Sequence, residues 1–155
     1  MAIKEHFGNQ ALQKWDDKKA VARDPSALEK YRTMLAEQIQ YFKVTQYFFF
    51  KQWTELKNYA NQKGIQIIGD MPIYVAADSV EVWTKPELFQ LDEERNPLVV
   101  AGVPADQFSA TGQLWGNPLY AWEEHKKQGY AWRIHALKKA SRFMMCCVST
   151  FQRFL

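Results

Sequence analysis

Gly64-Ile65-Gln66-Ile67-Ile68-Gly69-Asp70-Met71-Pro72-Ile73-Tyr74-Val75-Ala76-Ala77-Asp78-Ser79 is the stretch that decides the reading of this chain. Ile65, Ile67 and Ile68 make a short apolar run uninterrupted by charge, which predicts a buried strand over 65–70. Gly64 stops the helix before it and hands the chain over to that strand. The run ends in a carboxylate, Asp70, and enters a polar loop carrying Tyr74 and Asp78. Strand ends of this kind are where parallel α/β folds collect ligand-binding groups. A plainer alternative stands beside that reading: Asp70 caps a turn and Tyr74 is a partly buried wall residue.

Upstream, Asp24-Pro25 marks a helix start, because the carboxylate can accept from free amides and proline at the first helical position loses no hydrogen bond. Apolar residues then recur at helical spacing through Leu28, Tyr31, Leu35, Ile39, Phe42, Phe49, Trp53, Leu56 and Ala60. The run Val44 to Phe50 lowers helix propensity, so a break near 38–45 and a second helix over about 46–62 are expected. Residues 1–24 read as polar and irregular, apart from a helical turn near Ala11 to Trp15. Downstream of Ser79, Pro86, Pro97, Gly102, Pro104, Gly112, Gly116 and Pro118 predict a long, mainly irregular stretch. Compact domains keep such loops chiefly where they bind something or close over it. A last helix is expected over 121–140, with Gly129 weakening its middle.

Charge excludes some classes of partner. Twenty Lys and Arg oppose 17 Asp and Glu, a formal +3, and the lysine pairs 18-19, 126-127 and 138-139 lie scattered among acids. Nucleic-acid binding needs basic side chains gathered on one face, so no nucleic acid is expected as partner. Met1 to His6 leads into no apolar run, and Val44 to Phe50 is too short to span a bilayer, so neither a leader nor a membrane partner is expected. The adjacent Cys146 and Cys147 make no disulfide framework, which points to a reducing, cytoplasmic compartment. His6, His125 and His135 lack metal-site spacing, and neither a metal nor another cofactor is expected. Aromatics are abundant, with six Trp, seven Tyr and ten Phe, and these are the groups that stack on the apolar faces of sugar rings.

Phe108 to Tyr120 concentrates suitable chemistry. Gln113 and Asn117 each offer an acceptor and donors for vicinal hydroxyls, Trp115 can stack on a ring, and Gly112 and Gly116 let the backbone come close. Alternatively, Trp115 and Tyr120 anchor the loop onto the core while Asn117 caps the next helix. A phosphate loop is excluded, since no glycine cluster precedes Lys and Ser or Thr, and so is a Gly-x-Ser-x-Gly elbow. Asp70, Asp78 and Asp106 remain as candidates for a glycosidase-type carboxylate pair, whereas Asp92 sits in a turn.

These strings resemble the 4-alpha-glucanotransferases, the amylomaltase or disproportionating family. The likeness is carried by Gly69 to Ser79, Val82-Trp83, Pro86 to Phe89, Ala101 to Pro104, Phe108 to Tyr120, Gly129 to Trp132 and the opening Ala2 to Gly8. It implies an α/β fold, an interior piece of a (β/α)8 TIM barrel with a long βα loop over residues 1–140, followed by a divergent tail at 141–155. It implies transfer of α-1,4-glucan segments, with α-1,4-glucans and malto-oligosaccharides as the molecular partners. Asp70 and Tyr74 are then expected at the active-site end of a barrel strand, and Trp115 through Tyr120 in a glucan-facing loop. With Asp78 and Gln113, the expected substrate-contacting set is Asp70, Tyr74, Asp78, Gln113, Trp115, Asn117 and Tyr120.

The tail departs from the family pattern. The family strand reads Tyr-Asp-Val-Val-Arg-Ile-Asp-His, with its second Asp as nucleophile, whereas this chain has Met144-Met145-Cys146-Cys147-Val148-Ser149-Thr150-Phe151. Thr150 takes the nucleophile's place and cannot form a glycosyl ester as a carboxylate does. Met-Met-Cys-Cys-Val-Ser-Thr can be written in codons as ATG ATG TGC TGC GTA TCG AC, which read one base earlier give Asp-Val-Leu-Arg-Ile-Asp, so a shifted reading frame is expected. The family's general acid would lie past Leu155, and the chain alone is expected to be inactive. The competing expectation is a non-catalytic carbohydrate-binding or protein-interaction module.

Overall fold

Asp17 and Asp24 each stand one residue before a helix and turn a carboxylate onto its free amides. Asp17 accepts from the Ala20 amide at 3.1 Å and opens α2 (Lys18–Val21). Asp24 accepts from Ser26 at 2.9 Å and Ala27 at 3.3 Å and opens α3 (Pro25–Met34), with Pro25 in its first turn. These bonds favour the ionised carboxylates, so both pKa values lie below the ordinary range: Asp17 chiefly through the Ala20 amide, then Tyr31, and Asp24 chiefly through the Ser26 hydroxyl, then the Ala27 amide. The helical turn expected near Ala11 to Trp15 forms, but the rest of the first 24 residues is more regular than expected. They hold α1 (Ala2–His6), a 3-10 turn at Leu12–Lys14 and α2, nucleated by burial of Leu12, Trp15, Ala20 and Val21.

The computed structural model describes residues 1–143 and 146–148, and Thr150 lies outside them. The chain divides into two units. The first comprises Met1–Ala36 and Tyr74–Gln128, and the second begins as Glu37–Ile73 and resumes at Gly129.

In the first unit, Trp15 meets Trp83 edge-on at 5.8 Å, and the Trp83 indole donates to the Ala20 carbonyl at 3.0 Å. Leu12, Val82, Leu88, Phe89, Tyr120 and His125 complete the buried centre. Ser79 caps α5 (Val80–Thr84), and a 3-10 turn follows at Pro86–Leu88. The stretch expected to be mainly irregular contains an antiparallel pair, β2 (Val100–Val103) and β3 (Gln113–Pro118), in the register Val100↔Pro118 and Val103↔Gln113. Its glycines and prolines shape the pair rather than prevent it. Gly112 lies at φ +73°, where a Cβ would come within 2.5 Å of the Val103 carbonyl, so the turn into β3 needs glycine. The turn at Asp92–Asn96 forms as expected, with the Asn96 amide donating to Asp92 Oδ1 at 2.7 Å. α6 (Trp122–Lys127) closes this unit.

In the second unit, α4 (Ala36–Gln62) runs without interruption, so the break expected near 38–45 falls instead at Leu35. The polar cost of threonine in a helix is absorbed locally: Thr45 and Thr54 hydroxyls donate to the carbonyls of Tyr41 and Phe50, four residues back. The helix ends in a Schellman closure, with Gly64 at φ +76° donating to Asn61 and Ile65 to Ala60, both at 3.0 Å. That closure uses the Ile65 amide, and β1 is confined to Ile68–Asp70 rather than 65–70. Nor is the strand buried. Ile68 is 68% exposed, because β1 pairs on one edge only among the described residues, in parallel with β4 (Cys146–Val148), Ile68↔Cys146 to Asp70↔Val148. α7 (Ala131–Phe143) leads into β4. The single helix expected over 121–140 is split into α6 and α7 by Gly129 at φ +58° and Tyr130 at φ +57°, both left-handed. Lys57 caps the end of α7 by donating to the Arg142 carbonyl at 2.8 Å.

Tyr31 supplies a test of the first unit. Burial, then its hydroxyl bond to Asp17 at 2.9 Å, push the phenol up to about 12 from 10.0. A group whose pKa is raised by folding stabilises the fold fully below the unfolded value and loses that contribution as pH climbs through the folded one. Ultraviolet difference titration should show one of the seven tyrosines ionising near 12, absent in Tyr31→Phe, and that variant should lose less stability between pH 10 and 12. Ionisation of every tyrosine near 10 would contradict this placement.

Candidate functional site

Sugar recognition needs a flat apolar face beside groups that both donate and accept. The first unit assembles that combination from two segments distant in sequence, the loop at 74–78 and strand β3. Tyr74 is half-buried and stacks on Tyr120 with ring centroids 6.1 Å apart and planes 17° from parallel. Trp115 lies 6.3 Å from Tyr74 at 58° and is 38% exposed, so its ring reaches solvent. Its indole N–H donates to Gln113 Oε1 at 2.9 Å, which orients both side chains and leaves the Gln113 amide nitrogen as a donor.

Asn117 does not cap the next helix; Ala121 holds that position, without a side-chain bond. Its amide nitrogen instead donates to the Val75 carbonyl at 2.9 Å, tying β3 to the loop. Tyr120, expected to touch substrate, is 2% exposed. Its ring is enclosed by Tyr74, Phe89, Trp122 and His125, all within 6.1 Å, so it supports the Tyr74 ring from behind rather than meeting a ligand. That burial fits the alternative in which Tyr120 anchors the loop on the core.

Asp78 is half-buried and ion-paired with Lys4 of α1 through Oδ2, which commits that oxygen to holding the loop. Asp70 stands at the end of β1 in the second unit and is exposed there. Asp106 accepts from the amides of Phe108 at 2.8 Å and Ser109 at 2.9 Å, shaping the turn between β2 and β3. Tyr74, Gln113, Trp115, Asn117 and Tyr120 are thus brought together, while Asp70 belongs to the other unit.

Two supporting residues escaped the sequence. Gln13 donates through one amide nitrogen to the carbonyls of Ala77 at 3.1 Å and Arg95 at 2.8 Å, and Lys4 holds Asp78. Both are separated from their partners by more than sixty residues, as Lys4 and Asp78 are by 74, so no local pattern announces them. Among the described residues no three His, Cys, Asp or Glu side chains gather as a metal cage, and no helix is long and apolar enough to cross a membrane.

A family model described as 4-alpha-glucanotransferase matches residues 1–147. The 4-alpha-glucanotransferase of Streptococcus pneumoniae serotype 4 is 54% identical over 140 residues, covering 90% of this chain and 28% of that protein. That of Thermus thermophilus is 49% identical over 140 residues, with the same 90% and 28% coverage. Among solved structures, an amylomaltase from Streptococcus agalactiae in complex with acarbose superposes with a TM-score of 0.93 at 60% identity, over 96% of this chain and 30% of that one. The chain therefore spans under a third of the length of these relatives.

Asn117→Ala leaves the Val75 carbonyl without its donor and should lower stability by about 1 kcal/mol, the net worth of one such bond. Asn117→Asp, which sets a carboxylate against a carbonyl oxygen, should cost at least as much. Urea unfolding measures both, and two neutral variants would show that this bond does not hold the loop.

Proposed function

The chain belongs to the 4-alpha-glucanotransferase family, and from that premise we propose that it supplies glucan-binding surface to a transferase that moves α-1,4-glucan segments to an acceptor sugar. The observation that carries the reading is the tier formed by Tyr74 and Trp115 beside the amides of Gln113 and Asn117. The exposed indole stacks on a glucose ring, the Gln113 nitrogen donates to a hydroxyl, and the Asn117 carbonyl oxygen accepts from another. Asp70, at the end of β1 in the second unit, stays in the proposed substrate-contacting set. Asp78 contributes by fixing the loop.

The same reading makes β1 and β4 neighbouring strands of a (β/α)8 barrel. Parallel pairing supports it, since parallel strands need a crossover connection, and here α7 leads directly into β4. Residues 74–118 are then the long βα loop on which barrel enzymes build their sites. The adjacent Cys146 and Cys147 favour a reducing, cytoplasmic setting. In this reading Thr150 stands where the family has its nucleophilic aspartate, so the chain binds glucan without transferring it.

A second reading, a protein-interaction module, is favoured by one feature. α4 has no buried residue, and Tyr47, Phe48, Phe49 and Phe50 are each at least 39% exposed. Sedimentation separates the two: concentration-dependent association without any response to glucan supports the module.

Tryptophan fluorescence should change saturably as maltoheptaose is added, and Trp115→Ala should abolish most of that change. Maltotriose incubated with the purified 155-residue chain should yield no glucose. No fluorescence response from the folded chain would reject the binding surface, and measurable transfer would reject the role given to Thr150.

A further inference from the structure

A cavity of about 700 Å³ opens in the first unit, built wholly from residues 6–31. Its volume falls in the range of small-molecule sites. One wall is aromatic and held in place. Phe7 is half-buried and stacks on the buried Trp15 with centroids 4.7 Å apart and planes 19° from parallel. The Trp15 indole is fixed in turn by donating to the Gln10 carbonyl at 3.2 Å, and Tyr31 is fixed by its hydroxyl bond to Asp17 at 2.9 Å. The rim turns sharply at Gly8 and Asn9, at φ +65° and +58°, whose amides close the end of α1 onto the Glu5 and Lys4 carbonyls at 2.9 Å.

The polar lining has both signs. Lys14 and Lys30 are balanced by Asp16 and Asp17, so an anion meets the carboxylates and a cation meets the ammonium groups. Asp17 is committed to the α2 cap and to Tyr31. The side chains of Gln10, Lys14 and Asp16 make no hydrogen bond or ion pair among the described residues, and all three are exposed. An amide, an ammonium and a carboxylate around an aromatic wall suit a neutral polyol. A neutral polyol can accept from Lys14, donate to Asp16 and lay a ring face on Phe7.

We propose that this cavity is a second saccharide site, taking a neutral α-1,4-linked gluco-oligosaccharide through Phe7, Gln10, Lys14 and Asp16. The glucan identity rests on the function proposed above, and the neutral-polyol class rests on the cavity itself. Lys4 couples the two places, since it lies in α1 beside the rim and pairs with Asp78 in the Tyr74 loop. Two sites on one unit give long glucans a second attachment and raise their apparent affinity over short ones.

Backbone amide NMR of the full 155-residue chain tests this. Maltoheptaose should shift Phe7, Gly8, Lys14 and Asp16 saturably. Those shifts should persist in Trp115→Ala and should need about tenfold more ligand in Lys14→Gln/Asp16→Asn. Asp16→Asn alone serves if the double variant loses its native dispersion. Shifts confined to Tyr74 and Gln113–Asn117 would overturn the cavity and leave the proposed function standing. Shifts at the cavity alone would support it and overturn the Tyr74–Trp115 surface. No shift in either place would overturn both. Inorganic phosphate shifting the cavity where maltoheptaose does not would overturn the neutral class.

Discussion

A loop that forms no ladder of its own must have its backbone polar groups and its shape secured from elsewhere. Residues 74–78 meet that constraint with three side chains from three elements. Asn117 of β3 donates to Val75, Gln13 of the first 3-10 turn donates to Ala77, and Lys4 of α1 pairs with Asp78. Each bond has a net worth of only about 1 kcal/mol, but a buried carbonyl left without its donor costs more than the bond contributes. The Tyr74 ring inherits its position from all three. Behind it stands Tyr120 and beside it Trp115, so the aromatics run from a ring 2% exposed to one 38% exposed. That gradient lets one face meet solvent without loosening the core beneath it.

The second unit is held by different means. In α4, four successive residues, Tyr47 to Phe50, are 39–63% exposed, and successive helical positions lie about 100° apart. Aromatic surface therefore faces outward all around the helix. Full burial of each such side chain would contribute roughly 1.5–3 kcal/mol. The helix instead relies on local supports: the Phe49–Trp53 stack at 6.4 Å, one turn apart, and the threonine bonds to preceding carbonyls. β1 and β4 offer three paired positions, and a two-stranded pair is marginal by itself. The first unit, with tryptophans locked by indole hydrogen bonds, is the better-packed of the two.

What the sequence disclosed follows the range of the forces involved. Asp24-Pro25 and the Asp92–Asn96 turn were legible because capping acts over two to four residues. The Gly64 stop was legible for the same reason, although its Schellman closure takes the Ile65 amide and so shortens the strand that the isoleucines suggested. Propensity misled at Val44 to Phe50, where the penalties are tenths of a kcal/mol per residue and the helix continued regardless. Gly112 and Gly116 suggested loop, and Gly112 does sit in the turn, yet β3 runs through Gly116 and pairs with β2, because pairing depends on a partner strand that composition does not reveal. Residue chemistry singled out Tyr74, Gln113, Trp115 and Asn117, whereas Lys4 and Gln13 left no trace, since their partners are remote in sequence. Tyr120 was legible as an aromatic with two readings, a ligand contact or an anchor on the core, and residue chemistry alone did not choose between them.

Recognition and bond chemistry place different demands on a chain, and in the function proposed they separate. Stacking and amide hydrogen bonds tolerate some freedom of position, so a binding surface can be complete within one unit once its loop is tied. Glycosyl transfer needs two carboxyl groups set across one bond at a defined separation, one of them able to form an ester. Among the residues singled out for the site, Asp78 is bound to Lys4, and Asp70 lies at the end of β1 in the other unit. Asp106 does not fill the gap, since Oδ1 of its carboxylate is spent on two amides of its own turn. In the function proposed, a surface of Tyr74, Trp115, Gln113 and Asn117 holds a glucan while supplying no nucleophile. Binding and turnover are then independent properties, each open to measurement without the other.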